Sequence, residues 1–313
     1  RLIMQARELN KLRGTFLHGL MNYSEHDRIH AHINQIRSDS GGTVSGRFSY
    51  NHPNLQQVPS RGQFAKEIRK LFIPEVGQYW LKADYSQQEP RLLTHWACLV
   101  NQLGAKEVKE AYQKSDLDFH QQTADMAGVE RRLAKTIGLG VMYGMGYNKL
   151  ARELDIEPPE AKKMLADFRE RVPFMQGMLE AVMNRANTKG IIRTLLGRKC
   201  RFDLWEPTQW GVHKALPHNQ AKVEYGDAIK RAGTYKALNR LIQGSAADQT
   251  KKAMVDVYEQ TGIIPHIQVH DELDCSVKDE KQAKEIKHIM ETCVDLEVPS
   301  KVDIDLGESW GDK

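Results

Sequence analysis

The segment "KADYSQQEPRLL", residues 82–93, joins an apolar, strand-like approach to a carboxylate and then to a run able to open a helix. The preceding "QYWLKADY" (78–85) reads as a strand, so Asp84 falls at a strand end. Taken alone, an Asp there is more often a turn or cap residue than a functional group. A second Asp changes the weighing. "IIPHIQVHDELDCSV" (263–277) alternates on both sides of His270-Asp271, as a hairpin with those residues near its apex would. A rigid sheet can aim both carboxylates, and if the strands are neighbours the two repel unless a cation sits between them. Hard oxygen ligands suit Mg2+, and two such ions about 4 Å apart serve phosphoryl transfer.

The segment "ERRLAKTIGLGVMYG" (130–144) places Arg131, Lys135, Leu139 and Tyr143 at every fourth position, on one stripe of a helix. Two Arg at a helix start oppose its macrodipole. Such a stripe makes sense if an anion arrives, since helix N-terminus, guanidinium and ammonium all attract phosphate. A solvated basic helix with Leu139 and Tyr143 packed inward is the plain alternative. The "YGMG" that follows does not come after a strand, so it is a poor dinucleotide fingerprint.

Composition sets wider bounds. At 313 residues the chain can bury a large core in two or more subdomains, and its 40% hydrophobic and 27% charged content is ordinary for a globular protein. The chain opens on Arg1, as a fragment or processed piece would. No apolar run approaches the roughly 20 residues of a membrane span, and no secretory signal opens the chain. Cys98, Cys200, Cys275 and Cys293 lie far apart, which argues against a zinc site or disulfide framework and fits a reducing compartment. Net charge is only +4, but residues 185–201 carry six bases and no acid, while residues 271–313 carry 13 acids against 6 bases. One region suits phosphates, the other cations.

Along the chain, residues 1–36 read as helical, 38–62 as a long irregular segment, and 87–114 as mostly helix. Helices are expected over about 129–143, 148–154 and 159–189, with "EPPE" (157–160) marking a new start. "GIIRTLLGRKCRF" (190–202) resembles a hairpin turning at Gly197; 237–262 reads as a long helix, 279–294 as an amphipathic helix and 301–310 as a last strand. "SQQE" (86–89) has the form of a capping box with Ser86 as N-cap. His26 and His30 stand four apart, without the Glu and third ligand of a zinc hydrolase, and read as a solvated helix face.

"DYSQQEPR" (84–91), "RRLAKTIGLGVMYG" (131–144) and "VHDE" (269–272), in this order, resemble motifs A, B and C of family A DNA polymerases, the bacterial polymerase I type. "TVSGRFSYNHPNLQQVPSR" (43–61) resembles the segment before motif A, "NRLIQGSAAD" (239–248) the helix before motif C, and "LGESWGD" (306–312) the usual chain end. The match covers nearly the whole chain except about 203–234, an apparent insertion holding Trp205 and Trp210, which read as local core.

The resemblance implies an α+β, right-hand polymerase fold: an antiparallel palm sheet, helical fingers and a thumb largely absent. Residues 1–36 would be the base of the thumb, 37–115 the first part of the palm, 116–189 the fingers and 190–313 the second part of the palm. It implies template-directed DNA synthesis, with Asp84, Asp271 and the Tyr85 carbonyl as ligands of two Mg2+ ions, Mn2+ being an alternative. Arg131 and Lys135 would hold the triphosphate of the incoming dNTP, Lys135 donating a proton to pyrophosphate; His120, Leu139, Tyr143 and Gln87 complete the nucleotide site. Glu89 would pair with Tyr143 and crowd the sugar 2′ position. Arg47, Asn54, Gln56, Asn239, Gln243 and His270 would meet the primer–template DNA. The expected setting is the cytoplasm of a bacterial or phage-infected cell, an organelle being left open, with an exonuclease or thumb region and a processivity factor supplied outside this chain.

Three departures stand out. Leu139 occupies a position more often Phe or Tyr, Pro90 replaces a usual Leu, and Tyr235 stands where a template-contacting Arg is common. Leu139 and the insertion lean toward a phage. The competing functions are a metal-dependent nuclease using the same carboxylates and a non-catalytic DNA-binding fragment.

Overall fold

Alternation in "YWLKADY" sends one set of side chains into a core, and a computed structural model bears this out, with Leu81, Ala83 and Tyr85 buried and Asp84 exposed. It describes residues 2–39, 41–62, 64–114, 117–209 and 211–312; Trp210 therefore lies outside the described residues. The chain divides into two units: Arg1–Ser86 with Gln249–Val294 and Ser300–Lys313, and Gln87–Asp248 with Asp295–Pro299.

The first unit is organised by a four-stranded antiparallel sheet in which strand Tyr79–Tyr85 lies between Glu272–Val277 and Val302–Gly307, with Ile267–Val269 at the edge beyond Glu272–Val277. Leu81, Ala83, Tyr85, Leu273, Cys275, Val277 and Val302 form one buried face. They pack with Ala283, Ile286, Ile289 and Met290 of helix Glu280–Thr292, which Asp279 caps by accepting the Gln282 N–H at 2.8 Å. Leu81 is fully buried, so Leu81→Ala is expected to cost about 2–5 kcal/mol of stability by chemical denaturation, the sum of lost transfer energy and a cavity. The other face turns Trp80 toward Trp310 and carries Lys82, Asp84, Glu272, Asp274, Asp303 and Asp305.

The second unit is mostly helical. Helices Gln88–Leu99, Ala105–Lys114, Phe119–Ala127, Arg131–Met142, Tyr147–Leu154, Pro158–Arg171 and Pro173–Lys189 build one core. Pro158 heads its helix as the "EPPE" segment suggested, whereas the stretch read as continuous over 159–189 is divided at Val172, with Pro173 opening a second helix. The expected hairpin is the ribbon Ile191–Arg193/Lys199–Arg201, turning at Gly197 with φ +83°. The segment set aside as an insertion folds into a three-stranded antiparallel sheet with helix His218–Tyr225. Trp205 is half-buried there, between the His218 ring and the Arg231 guanidinium, each 4.7 Å away, so it is local core. The long helix Ala237–Thr261 follows.

Three expectations are corrected. The N-terminal helix does not reach residue 36: it passes through a π-helical stretch, Leu12–His18, ends at Met21, and short strands follow from Ser24 to Asn34. Ile29 and Ala31 are partly buried while His30 and His32 are exposed, a period of two rather than 3.6. His26 accordingly sits in a turn, with φ +50°, and not on a helix face. Nor is Ser86 the residue that immediately precedes the next helix, and its N–H does not go to Glu89 as a capping box requires. That helix starts at Gln88 after Gln87 in the left-handed region at φ +55°, and the Ser86 N–H is given to the Lys301 carbonyl at 2.9 Å. Pro90 then falls in the first turn, where a missing N–H breaks no helical bond.

Candidate active site

In the first unit, Asp84 is the penultimate residue of its strand and lies opposite Glu272 on one neighbour and Asp303 on the other. Asp271 sits in the turn just before Glu272, and its carbonyl accepts the Tyr85 N–H at 3.2 Å. Like charges placed directly across a ladder are destabilising. Asp84 shows this: burial of its carboxylate, then the charges of Asp271, Glu272 and Asp303, push its pKa up to about 7. The residue as a whole remains open to solvent, so the crowding of charge deserves more weight than the burial. A bound divalent cation would relieve that repulsion, and the donor set, two carboxylates and a backbone carbonyl, fits Mg2+, which keeps water and substrate phosphate as its other ligands. Among the described residues no group of three or more His, Cys, Asp or Glu side chains is placed to hold a metal ion, so the donors offered here are two carboxylates and a carbonyl.

Surrounding groups fix these acids. The Tyr85 hydroxyl donates to the Met290 carbonyl at 2.7 Å, locking the residue whose own carbonyl ends the strand. Glu272 accepts from the Trp310 indole at 3.3 Å, and the buried Asp274 accepts from the Trp80 indole at 2.8 Å. His270, exposed with φ +58°, is held through its carbonyl by the Gln268 side chain at 2.6 Å, and the Gln268 carbonyl accepts from the Gln56 amide at 3.2 Å. Asn54 caps the short turn Leu55–Gln57 by accepting the Gln56 N–H at 3.1 Å. Arg47 is half-buried in the same unit, its carbonyl accepting from Thr43 Oγ1 at 2.8 Å.

In the second unit, helix Arg131–Met142 buries Ala134, Ile137, Gly138, Val141 and Met142 and turns the opposite stripe outward. Arg131, Lys135 and Tyr143 are exposed and Leu139 is half-buried, so the stripe does not pack inward. Arg131 is oriented by Asp118, whose Oδ2 accepts from Nε and Nη2, both at 2.7 Å. Asp118 also caps helix Phe119–Ala127 through the N–H groups of His120 and Gln121. Burial opposes its ionisation, but the Arg131 hydrogen bond and the two backbone donors together hold its pKa below the usual carboxylate range. Burial first, then the positive charge of Lys135, lowers the pKa of His120, so a neutral imidazole faces this cationic cluster.

The Tyr143 hydroxyl donates to Glu89 Oε2 at 3.1 Å, the pair the sequence resemblance implies. The Gln87 amide is engaged on the protein itself: Nε2 donates to the Leu117 carbonyl at 2.7 Å and Oε1 accepts the Phe119 N–H at 2.9 Å, clamping the start of the His120 helix. Beside the stripe lies a cavity of about 460 Å³ lined by Leu139, Tyr143, Tyr235, Lys149 and Glu153 among others. Gly144, at φ +69°, is required on its rim, because a Cβ there would stand 2.5 Å from the Tyr235 carbonyl oxygen. Asn239 and Gln243, four apart on the long helix, share a half-exposed face.

Asp118, Glu272 and Asp303 were not singled out from sequence. Signals existed for each: Asp118 precedes a helix start, Glu272 follows Asp271 in "VHDE", and Asp303 holds the outward phase of "VDIDLG".

A family model for DNA polymerase family A matches residues 1–312. The chain is 40% identical to a DNA-directed DNA polymerase of Pseudomonas phage M6, over 99% of this chain and 51% of that protein. It is 33% identical to a thermostable DNA polymerase I of Thermus filiformis, over 99% of this chain and 36% of that protein. It thus spans about half or less of the length of these relatives. Its fold is similar to the POL domain of Pol1 from M. smegmatis, solved in complex with DNA primer-template and dNTP, with a TM-score of 0.79 and 29% identity over 97% of this chain and 52% of that one.

Proposed function

This chain belongs to DNA polymerase family A, and on that premise we propose that it catalyses template-directed DNA synthesis, adding nucleotides from dNTPs to a primer 3′-hydroxyl. The observation that carries this reading is the acidic end of the central sheet, where Asp84 is flanked by Asp271, Glu272 and Asp303 and its affinity for a proton is raised accordingly. In this reading Asp84, Asp271 and the Tyr85 carbonyl would hold two Mg2+ ions. Bound there, Mg2+ would stabilise the charge on the attacking and leaving oxygens of an in-line displacement.

The chain's own groups have separate tasks. Arg131, steadied by Asp118, and Lys135 hold the triphosphate, with neutral His120 as a further phosphate contact. The primer 3′-hydroxyl gives its proton to solvent as its oxygen bonds to the α-phosphorus, the bond to the bridging oxygen breaks, and Lys135 gives the departing pyrophosphate a proton. Leu139 and Tyr143 form an apolar surface for the base and sugar. Arg47, Asn54, Gln56, Asn239, Gln243 and His270 lie against primer and template, where donors check base-pair shape through acceptors common to all pairs. The central-sheet unit then serves as palm, and residues 116–189 as fingers. No helix among the described residues is long and apolar enough to cross a membrane; we place the protein in the cytoplasm of a bacterial or phage-infected cell, with thumb, exonuclease and processivity functions supplied by other segments or partners.

Glu89, held by Tyr143, stands as a guard against a 2′-hydroxyl. Glu89→Ala is expected to raise ribonucleotide incorporation relative to dNTP by about 10–100-fold, the range a small steric difference in a pocket can supply. Unchanged sugar selectivity would remove the gate. Incubation with 5′-labelled primer–template, Mg2+ and dNTPs tests the function as a whole. Lengthened primer supports synthesis, shortened DNA supports a nuclease, and binding with neither supports a DNA-binding fragment.

A further inference from the structure

The ribbon Ile191–Arg193/Lys199–Arg201 has two unlike faces. Ile192 and Cys200, paired across the strands, are buried, whereas Arg193, Lys199 and Arg201 point outward and are exposed. Arg193 lies directly opposite Lys199, and Arg201 follows two residues along on the same face, about 6.6 Å farther at strand spacing. None of the three has a carboxylate partner among the described residues; the Arg193 guanidinium reaches only the Gly197 carbonyl, at 3.2 Å. Like charges directly opposite on a ribbon repel, so this arrangement weakens the pairing it sits on.

The ribbon cannot relieve that repulsion by fraying. Asp248 accepts from Arg198 Nε and from the Leu196 N–H, both at 3.1 Å, Arg198 Nη2 donates to the Gly244 carbonyl at 3.1 Å, and the Leu195 N–H donates to Ser245 Oγ at 3.1 Å. Three cations are therefore held on a rigid platform, uncompensated. The surrounding sequence deepens the field: residues 185–240 hold twelve Lys/Arg and only four Asp/Glu. The exposed strand positions offer charge and no aromatic ring, which suits a polymer's phosphates and not its bases.

We infer that the outward face of this ribbon is a binding surface for the sugar–phosphate backbone of nucleic acid, with Arg193, Lys199 and Arg201 each meeting a phosphate. The contact is independent of sequence, and each neutralised phosphate releases counterions. The inference deepens the DNA-synthesis reading by adding to its grip on DNA, and it rests on that reading for the choice of polymer.

Fluorescence anisotropy of a labelled primer–template duplex, with the full chain and without dNTP or divalent metal, tests it across 50–200 mM KCl. The variant Arg193→Ser/Lys199→Ser/Arg201→Ser is expected to flatten the slope of log K against log salt by about 2.7, at about 0.9 per phosphate contact. Arg193→Glu is the second test, since it sets an acid opposite Lys199. It should leave the melting temperature equal or higher while weakening DNA binding, two effects that misfolding cannot produce together. Wild-type slopes in both variants would overturn the proposal and leave the face to an acidic protein partner or to solvent. Because no catalysis is measured, loss of synthesis would not disturb this result, and failure here would leave the synthesis reading standing.

Discussion

Asp84→Asn is expected to lower primer extension by about 10³-fold or more, a barrier increase of about 4 kcal/mol, while raising the melting temperature in metal-free buffer. The two effects share one cause. Asp84 sits opposite Glu272 and Asp303 and next to Asp271, so its negative charge opposes folding whenever no cation is bound. The pH dependence has a definite sign. A carboxyl whose folded pKa is raised from 3.8 to about 7 begins to destabilise the protein as pH climbs past about 4 and does so fully above about 7. The gain in the Asn variant should therefore be largest near pH 8 and vanish near pH 4. Thermal unfolding and steady-state extension measured together check this. A variant that is inactive but less stable would make Asp84 a structural residue, and one that extends normally would remove it from the chemistry. Groups retained against stability in this way mark function more securely than groups that merely fit.

Lys135→Ala carries the second large expectation: kcat for nucleotide addition falls by about 10²–10⁴-fold, the range for loss of a positioned general acid. Lys135 is exposed on the outward stripe, so its removal leaves no cavity, and the melting temperature should stay within about 1 °C. Arg131→Ala should differ in kind. Asp118 steadies that guanidinium before any nucleotide arrives, so its loss should raise the KM for dNTP more than it lowers kcat. Equal and small effects of both substitutions would return the stripe to the status of a solvated face.

Much of this site is legible in the sequence because it is built on regular elements. The period of two in residues 79–85 and 272–277 fixes which side chains face the acidic end, and the fourfold spacing of Arg131, Lys135, Leu139 and Tyr143 fixes their common face. What escapes notice depends on groups distant in sequence. Asp303 matters only because its strand pairs beside Asp84, and Asp118 only because the helix Phe119–Ala127 and the turn after it bring it to Arg131. The Glu89 capping box fails for a similar reason. Its Ser86 N–H is bound by Lys301 and its carboxylate by Tyr143, two tertiary partners that outcompete a local motif. The helix expected through residue 36 fails differently, because Ile29 and Ile33 fit a helical period while Ile29, Ala31 and Ile33 equally fit a strand.

Single-nucleotide extension of a 5′-labelled primer by this chain with Mg2+ tests the central claim most directly. The account predicts a product one nucleotide longer when the dNTP complementary to the template is supplied, and none with each of the other three alone. Shortened DNA, or addition that ignores the template, would contradict it.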